Sequence, residues 1–337
     1  MVDAMALFRK KTVVVTPEKP PREFPISPPA PRPDGLRGFE QQRAFVLGLL
    51  KPLAPFGVSL LDAVGLTLSE SITAEQHWPN SGIKQGDVLV RRGVGVEPRL
   101  VGLLAAAGIA KVMARPRPRV VVIPIGRPGA TQAVGNDLAS YLVAAELQAQ
   151  GAQVYHVPWA GHDEEAAGQL ISDQLIRADL IVTTGGFADG EVSIARVLPG
   201  LGLADTQAVA VTPGRQQGVA LIGDDDTPLL ALPSDPLAAH VLLVTLVVPA
   251  VRQLMDADEV LPDVRRARVA QSVSVTPGLL TAAHVVVDAS GTLSFRVRRT
   301  GVDALVAINR ASGIALMTAE DGHVDLGSWV DYIPLDR

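Results

Sequence analysis

The sequence contains no cysteine, and this absence removes several classes of chemistry at once. Disulfides, iron–sulfur clusters, thiolate nucleophiles and cysteine-ligated zinc sites all need that side chain. The six histidines show no close spacing such as His-x-x-x-His, so the sequence also lacks a histidine metal motif. Oxygen ligands, backbone amides and ordinary acid–base groups are the chemistry that is left.

Charge and long apolar runs are also scarce. Charged residues make up 19% of the chain and the formal net charge is −5, which gives no reason to expect nucleic-acid binding. Glycine, proline or charge interrupts the apolar segments before they reach the length of a membrane-spanning helix. The N-terminus "MVDAMALFRKK" lacks the basic-then-apolar order of a signal peptide. We therefore expect a cytoplasmic protein without membrane insertion.

Residues 1–38 are rich in proline. Proline at this density sustains neither helices nor sheet ladders, so the sequence predicts a disordered tail. The alternative is an arm that binds a protein partner, with "FRKK" (8–11) as its anchor. A tail without a partner is the simpler of the two interpretations.

Residues 39–115 form the next predicted region, a helical and β linker that would also serve dimerisation. "FEQQRAFVLGLLKPL" places its apolar residues near one helical face. "GDVLVRRGVGVEPRLVGLLAAAGI" (86–109) predicts a strand, a turn and a short helix with proline in its first turn.

Residues 116–258 alternate between buried strands and helices. The run "VVVIPIG" (120–126) is typical of a strand that is covered on both faces. Further strands are predicted at 152–161 and 179–186, with helices at 135–151, 162–178 and 191–202, followed by a strand, a turn and a long apolar helix within 229–254. This alternation predicts an α/β domain with a mostly parallel, doubly wound sheet. After residue 260 the period changes to two, so residues 262–337 are predicted to form a small all-β domain.

The segment "LIVTTGGFADGEVS" (180–193) carries the strongest chemical signal. A strand that ends in a glycine turn can present backbone N–H groups to a phosphate. Asp189 and Glu191 would repel such an anion, so they are catalytic candidates only if a cation offsets them. The interpretation that we favour makes Asp189 a turn residue and Glu191 a cap of the following helical turn. Neither Gly-x-Gly-x-x-Gly nor a P-loop is present, which disfavours other nucleotide-binding folds.

The order of these segments resembles the molybdopterin molybdotransferases, the family of MoeA and the gephyrin E domain. "LLDAVGLTLSESITA" is similar to the family's "LDAlGrvLAEdIxA", and "LIVTTGGFADGEVS" to its "vitSGGvSvGeyD". "VTPGRQ" resembles "kPGKP" and "LPSDP" resembles "LPGNP". "GNDLASYLVAAELQAQGAQV" looks like the helix that follows the family's Thr-Gly-Asp-Glu strand. Each motif is weak by itself, but their order holds over about 280 residues and excludes the tail.

The resemblance implies a linker region, a MoaB/Mog-like three-layer α/β domain, a C-terminal β domain and a homodimer. The family inserts molybdate into adenylated molybdopterin with a divalent cation and releases AMP. An active protein would therefore use Mg²⁺ and molybdopterin, and an inactive one neither. The resemblance places the contacts to a pterin nucleotide at Asn136, Asp137, Thr184, Gly185, Gly186, Gly190, Ser193, Pro213, Gly214, Arg215, Pro233, Ser234 and Asp235.

Several family features are missing from this sequence. Only "QHWPNSG" (76–82) stands where the family has a small second domain. Gly126 is followed by Arg127 and Pro128 instead of an acidic pair, and Ser193 replaces a catalytic aspartate. Pro-Ser-Asp-Pro replaces Pro-Gly-Asn-Pro at 233–236. The sequence therefore predicts a molybdotransferase-like protein whose catalysis is degenerate, and as the alternative a non-catalytic dimeric scaffold that binds a protein partner.

Overall fold

The computed structural model describes residues 22–78, 80–129, 138–159, 161–295 and 300–335. The first folded region contains α1 (Phe39–Leu49), β1 (Phe56–Ser59), β2 (Thr67–Leu68), β3 (Ile72–Thr73), β4 (Val88–Val90), α2 (Pro98–Ala106) and β5 (Lys111–Arg115). β5 lies between β1 and β2 in a small antiparallel sheet, and β3 pairs with β4. The chain between β3 and β4 contains the segment "QHWPNSG" (76–82), which stands in the sequence where a second domain is lacking, as expected from the sequence.

The chain before α1 is packed against the rest of the protein from residue 22 onward. Phe24 packs edge-on against Phe45 of α1, with ring centroids 5.5 Å apart. Arg37 is 4% exposed and forms a two-pronged ion pair with Asp205 at 3.0 Å. The prediction of a disordered tail is therefore wrong for residues 22–38, because an aromatic side chain and a buried arginine hold this segment. Residues 1–21 lie outside the described residues.

The α/β domain follows the predicted alternation. Its elements are β6 (Arg119–Ile125), α3 (Ser140–Ala149), β7 (Gln153–His156), α4 (Glu164–Ser172), β8 (Leu180–Gly185), α5 (Ile194–Val197), β9 (Gly202–Asp205), β10 (Val211–Thr212), β11 (Gly218–Ile222), β12 (Thr227–Leu232), α6 (Pro236–Leu242) and α7 (Val248–Leu254). The sheet order is β7-β6-β8-β12-β11-β9. β7, β6, β8 and β12 pair in parallel, and β11 alone runs in the opposite direction, pairing antiparallel with both β12 and β9, so the sheet is mostly parallel as expected.

Apolar cores cover both faces of this sheet. On one face, side chains of α1, α3, α6 and α7 pack on alternate residues of the strands, including Val120, Val122 and Leu180. On the other face, residues of α4 and α5 pack on Val121, Ile123 and Ile181. Every residue of β8 is buried, which explains its uninterrupted apolar sequence. The result is the expected three-layer domain.

Helices α6 and α7 belong to one continuous helix, joined by a π-helical turn at Leu243–Val247. Among the described residues, this helix of 19 residues is the one candidate that is long and apolar enough to cross a membrane. In the protein, 89% of its apolar window is buried. It is therefore the core helix of the α/β domain.

The C-terminal domain contains β13 (Arg265–Val269), β14 (Val273–Ser274), β15 (Leu280–Val287), β16 (Thr292–Phe295), α8 (Val302–Arg310), β17 (Gly313–Met317), β18 (His323–Val324) and β19 (Trp329–Pro334). The strand order β15-β16-β13-β19-β17 closes on itself through a β15–β17 pairing, which makes a small barrel. β10 of the α/β domain pairs with β15 and connects the two domains. The domain is β-rich as predicted, with one helix that the period-two pattern did not reveal.

Candidate functional site

Three strands of the α/β sheet end side by side. In the parallel register, Gly185 of β8 lies opposite Ile125 of β6, and Thr184 lies opposite Leu232 of β12. The turns that begin at Gly126, Gly186 and Pro233 therefore leave the same edge of the sheet. The carboxyl edge of a parallel sheet is where α/β proteins bind ligands, so this edge is the candidate site.

The two glycines at the end of β8 are required by the backbone itself. Gly185 and Gly186 have φ angles of +96° and +85°, which other residues rarely adopt. A Cβ at Gly185 would lie 2.2 Å from the carbonyl oxygen of Ile125, and one at Gly186 would lie 2.7 Å from the Cβ of Ile194. Both glycines therefore have a structural reason that does not depend on a ligand.

The amides of this turn bind a carboxylate of the protein. Oε2 of Glu191 accepts hydrogen bonds from the backbone N–H groups of Gly186 at 2.7 Å, Phe187 at 3.2 Å and Ala188 at 3.0 Å. Helix α5 begins at Ile194, so the predicted role of Glu191 as a cap of that helix is wrong. The glycine turn does form the anion-binding nest that its sequence indicated, and the anion is Glu191.

A cleft of about 630 Å³ opens beside this turn, and five of its fourteen lining residues are acidic. Asp163 caps α4 by accepting from the N–H of Ala166 at 2.8 Å, and Glu164 pairs with Arg196 at 3.3 Å. Asp189 lies at the exposed rim, in agreement with its interpretation as a turn residue. Carboxylates concentrated in one cleft disfavour the entry of a phosphate.

Three further predicted residues lie at or near this cleft. Gly190, with φ +81°, leaves room for Arg127, whose Cζ would lie 3.7 Å from a Cβ at that position. Ser193 is the N-cap residue of α5 but makes no side-chain capping hydrogen bond. Thr184 is 2% exposed and lies beneath the turn, and its hydroxyl has no hydrogen-bond partner among the described residues. Arg127 thus lies near the glycine turn, and Arg127 and Pro128 are the two residues that replace the acidic pair of the motif that this sequence resembles.

The other predicted turns do not line the acidic cleft. The carboxylate of Asp235 caps α6 by accepting from the N–H of Ala238 at 2.9 Å. Gly214 is buried against Leu242, and Arg215 is exposed. Pro213, which follows a cis peptide bond, borders a different cavity. The residues that sequence reasoning assigned to one site therefore divide between two places, while Asn136 and Asp137 lie outside the described residues.

The second cavity has a volume of about 260 Å³ and lies between the α/β domain and the barrel. His284 of β15 borders it and is 5% exposed. Its Nε2 lies 2.7 Å from Nδ1 of His240 on α6, and the two rings are stacked with centroids 5.0 Å apart. Burial lowers the pKa of His240 to about 3 and that of His284 to about 4, so both rings are neutral near pH 7. No sequence signal indicated this pair, since its members are 44 residues apart.

The described residues do not fit a resident Mg²⁺ ion. Magnesium needs several oxygen ligands in near-octahedral geometry. Among the described residues there is no group of three or more His, Asp or Glu side chains that could hold a metal. The carboxylates of Glu191, Asp163 and Asp235 are already committed to backbone N–H groups. This part of the chain therefore supports no reaction step through a metal ion.

Comparison with known proteins identifies the α/β domain. Residues 121–253 match the family model described as a probable molybdopterin binding domain. Over 179 residues the chain is 35% identical to molybdopterin molybdenumtransferase 1 of Mycobacterium tuberculosis, covering 50% of this chain and 42% of the relative. It is 30% identical to molybdopterin molybdenumtransferase 2 of the same organism over 207 residues, or 56% and 50% of the two chains. The chain thus spans about half the length of these curated relatives.

Solved structures share the fold over most of the chain. A molybdenum cofactor biosynthesis protein from Pyrococcus furiosus aligns with a TM-score of 0.69 at 20% identity, over 89% of this chain and 100% of the other. A molybdopterin biosynthesis MoeA protein from Pyrococcus horikoshii aligns with a TM-score of 0.73 at 18% identity, over 89% and 99%. The chain therefore contains a domain that matches the molybdopterin-binding family model and has the fold of MoeA proteins.

Proposed function

We propose that this chain is a protein of molybdenum cofactor biosynthesis that binds a pterin-type ligand but has lost the transfer of molybdate. The resemblance supports the ligand class, because the matched domain is described as molybdopterin-binding. The observation that carries the loss of transfer is that Ser193, the N-cap residue of α5, offers no carboxylate where the motif that this loop resembles has its catalytic aspartate, while Asp235 is bonded to the N–H of Ala238. A transfer reaction that depends on a cation would need carboxylate oxygens that are present and free.

Electrostatics supports the same proposal. The cleft beside the glycine turn combines Asp163, Glu164 and Asp189 with Glu191. Of the two arginines near it, Arg196 is paired with Glu164 and Arg127 lies close to Gly190. A pyrophosphate group entering this cleft would have to displace Glu191 from three amides and approach the remaining carboxylates. Both requirements weaken the binding of a substrate nucleotide at the turn.

The test is a turnover assay with the full chain. Purified protein is incubated with adenylated molybdopterin, molybdate and Mg²⁺, and AMP is measured against a heat-denatured sample. An active MoeA-like enzyme in parallel shows that the substrates are competent. We expect no AMP above the denatured control, and AMP release at the rate of the active enzyme would contradict the loss of transfer.

A dimeric scaffold is the second candidate, and exposed apolar residues of the first folded region favour it. Leu61 is 79% exposed and Val64 is 39% exposed, and both belong to the predicted dimerisation region. We propose that this surface supports a cytoplasmic homodimer. Sedimentation equilibrium of the wild type and Leu61→Asp tests it: a wild-type dimer that the variant weakens is expected, and a wild-type monomer would exclude the homodimer.

A protein partner bound through the N-terminus would use residues 1–21, because residues 22–38 are packed against the α/β domain. Deleting residues 1–21 tests this role while the packed segment stays in place. A set of co-purifying proteins that is unchanged by the deletion would remove residues 1–21 from the scaffold hypothesis. Tight binding of a pterin nucleotide, measured by calorimetry, would favour the first proposal over the scaffold.

A further inference from the structure

The cavity at the junction of the two domains has the form of a small-molecule site. Its walls come from the Thr212–Pro213 turn, the first turn of α6 at Leu237, helix α8 at Ala307, and strands of the barrel including β15. Its volume of about 260 Å³ is near the lower end of ligand sites, which span roughly 300–1,000 Å³. A fused bicyclic ring fits such a space, whereas a complete nucleotide does not.

The lining of this cavity carries no charged side chain among the described residues. Hydroxyl groups of Thr212, Ser274, Thr276 and Thr281 border it, and the apolar part includes Phe295 and Met317. Burial of an ion without a counter-charge is costly, so this environment disfavours an oxyanion. Hydroxyls around an apolar interior suit an uncharged ligand that has both a ring face and hydrogen-bonding atoms.

The histidine pair adds a ring nitrogen, Nδ1 of His284, that can act either as a hydrogen-bond donor or as an acceptor. His284 uses Nε2 toward His240, and its Nδ1 has no hydrogen-bond partner in the part of the chain that the structure describes. If His284 donates within the pair, its Nδ1 is an acceptor, and if His240 donates, the Nδ1 of His284 carries the proton. Tautomerisation of both rings thus converts the free nitrogen between acceptor and donor: the shared proton passes from Nε2 of His284 to Nδ1 of His240, while Nδ1 of His284 gains a proton from solvent or ligand and Nε2 of His240 releases one. A cyclic amide edge carries both an N–H donor and a C=O acceptor, so it can form a hydrogen bond with Nδ1 of His284 in either state.

We propose that this cavity binds an uncharged fused bicyclic heterocycle with a cyclic amide edge, of the pterin or purine kind, through a hydrogen bond from that edge to His284. The choice of a pterin rests on the proposed function, while the cavity and the histidine pair also suit a purine base. The site differs from the acidic cleft at the glycine turn, with which its lining shares no residue in the described ranges. The ring site and the glycine turn are thus separate parts of the chain.

Binding of the ring alone tests this proposal. The full chain is titrated at pH 7 with pterin, with hypoxanthine and with molybdate, by calorimetry and by the quenching of pterin fluorescence. We expect saturable binding of at least one ring at a single site and no competition by molybdate. If neither ring binds at concentrations up to about 1 mM, or if molybdate displaces the ring, the proposal is overturned. The ring that binds more tightly separates the pterin from the purine source.

Variants locate the site. His284→Leu removes the hydrogen bond, and we expect the affinity for the ring to fall about tenfold or more. Ala283→Leu adds volume at the cavity wall and should also weaken binding, while thermal melts show whether each variant is folded. His323→Gln is the matched control, since it changes an exposed histidine of the same domain that does not border the cavity. Unchanged binding in both folded cavity variants would overturn the proposal.

The outcome is independent of the turnover assay. Ring binding together with AMP release would contradict the loss of transfer and leave this inference intact. Absence of ring binding together with absence of AMP would contradict this inference and leave the loss of transfer intact.

Discussion

Oε2 of Glu191 lies 2.7 Å from the amide nitrogen of Gly186, and the same oxygen accepts from the two following amides. An internal carboxylate thus occupies the nest that a glycine turn at a strand end offers to a phosphate. The family motif to which this loop is similar has a glutamate at the same position. The contact therefore belongs to the shape of the loop, and the departures at Ser193 and Asp235 are the features particular to this chain.

Removal of this carboxylate should open the nest. We expect Glu191→Ala to bind inorganic phosphate at least tenfold more tightly than the wild type, measured by calorimetry at low salt. The three amides lose their acceptor, so the free energy of unfolding should fall by about 1–3 kcal/mol. Asp189→Ala is the control, because Asp189 lies in the same cleft at its exposed rim, and it should change stability little. Equal phosphate binding by the wild type and Glu191→Ala would show that the carboxylate does not block the nest.

The glycines of the turn should be essential for folding even without a ligand. At Gly185 the backbone has φ +96°, and a Cβ would lie 2.2 Å from the carbonyl oxygen of Ile125. We expect Gly185→Ala to lower the free energy of unfolding by more than about 3 kcal/mol, through backbone strain and overlap together. Gly151→Ala is matched in φ, at +90°, but meets no atom within 4 Å among the described residues. It should cost about 1–2 kcal/mol, and equal losses in urea melts of the two variants would contradict the role of close contact.

The periodicity of the sequence was sufficient to predict the layers of the α/β domain. Strand β8 is buried on both faces, so its residues had to be apolar throughout, and the glycines after it had to permit positive φ. Both requirements leave a local signal in the sequence. The helix α8 also left a local signal, the helical spacing of its buried residues Ala304, Ala307 and Ile308, but it was missed because it is a short element between barrel strands.

Contacts between distant residues could not be predicted in the same way. Nothing near His240 in the sequence indicates that β15 will bring His284 to it, since that contact depends on how the two domains pack. The direction of the Glu191 side chain is similarly a tertiary result, and it corrected the interpretation of this residue as a helix cap. The turns at Gly186, Pro213 and Pro233 were expected to form one site because they share a family pattern, yet Pro213 borders the cavity beside the barrel and only the turn at Gly186 lines the acidic cleft.

The stability of the domain junction should depend on pH through the histidine pair. The folded-state pKa values of His240 and His284, about 3 and about 4, lie below the ordinary value of 6.5. The unfolded chain therefore binds more protons below pH 6.5, and this contribution to stability is complete above pH 6.5 and falls as the pH decreases toward 4. We expect the melting temperature to decrease over this range more steeply in the wild type than in the double variant His240→Leu/His284→Leu.

The comparison uses the slope of melting temperature against pH, because the double variant also changes packing. His77→Gln alters an exposed histidine for which the structure shows no hydrogen bond or ion pair among the described residues, and it should keep the wild-type slope. If the double variant retained the full wild-type slope between pH 6.5 and 4, the histidine pair would not be the source of the pH dependence.

The segment before α1 should contribute measurably to stability through Arg37. Its guanidinium forms two hydrogen bonds with Asp205 and a third, of 2.7 Å, with the buried side chain of Gln42. Arg37→Ala would leave a carboxylate that is only 12% exposed without its partner, and such a loss typically costs about 3–5 kcal/mol in the free energy of unfolding. Arg37→Lys keeps the charge but cannot form the two-pronged contact, so its loss should be intermediate.

Glu23→Ala is the control, because Glu23 belongs to the same segment, is exposed and makes no hydrogen bond or ion pair among the described residues. This surface change should leave the variant melting close to the wild type in urea. Limited proteolysis gives a second readout: Arg37→Ala should release residues 22–38 faster than Glu23→Ala. Equal losses of stability and equal cleavage rates in the two variants would mean that the segment is held by its apolar contacts, such as that of Phe24, and not by the buried ion pair.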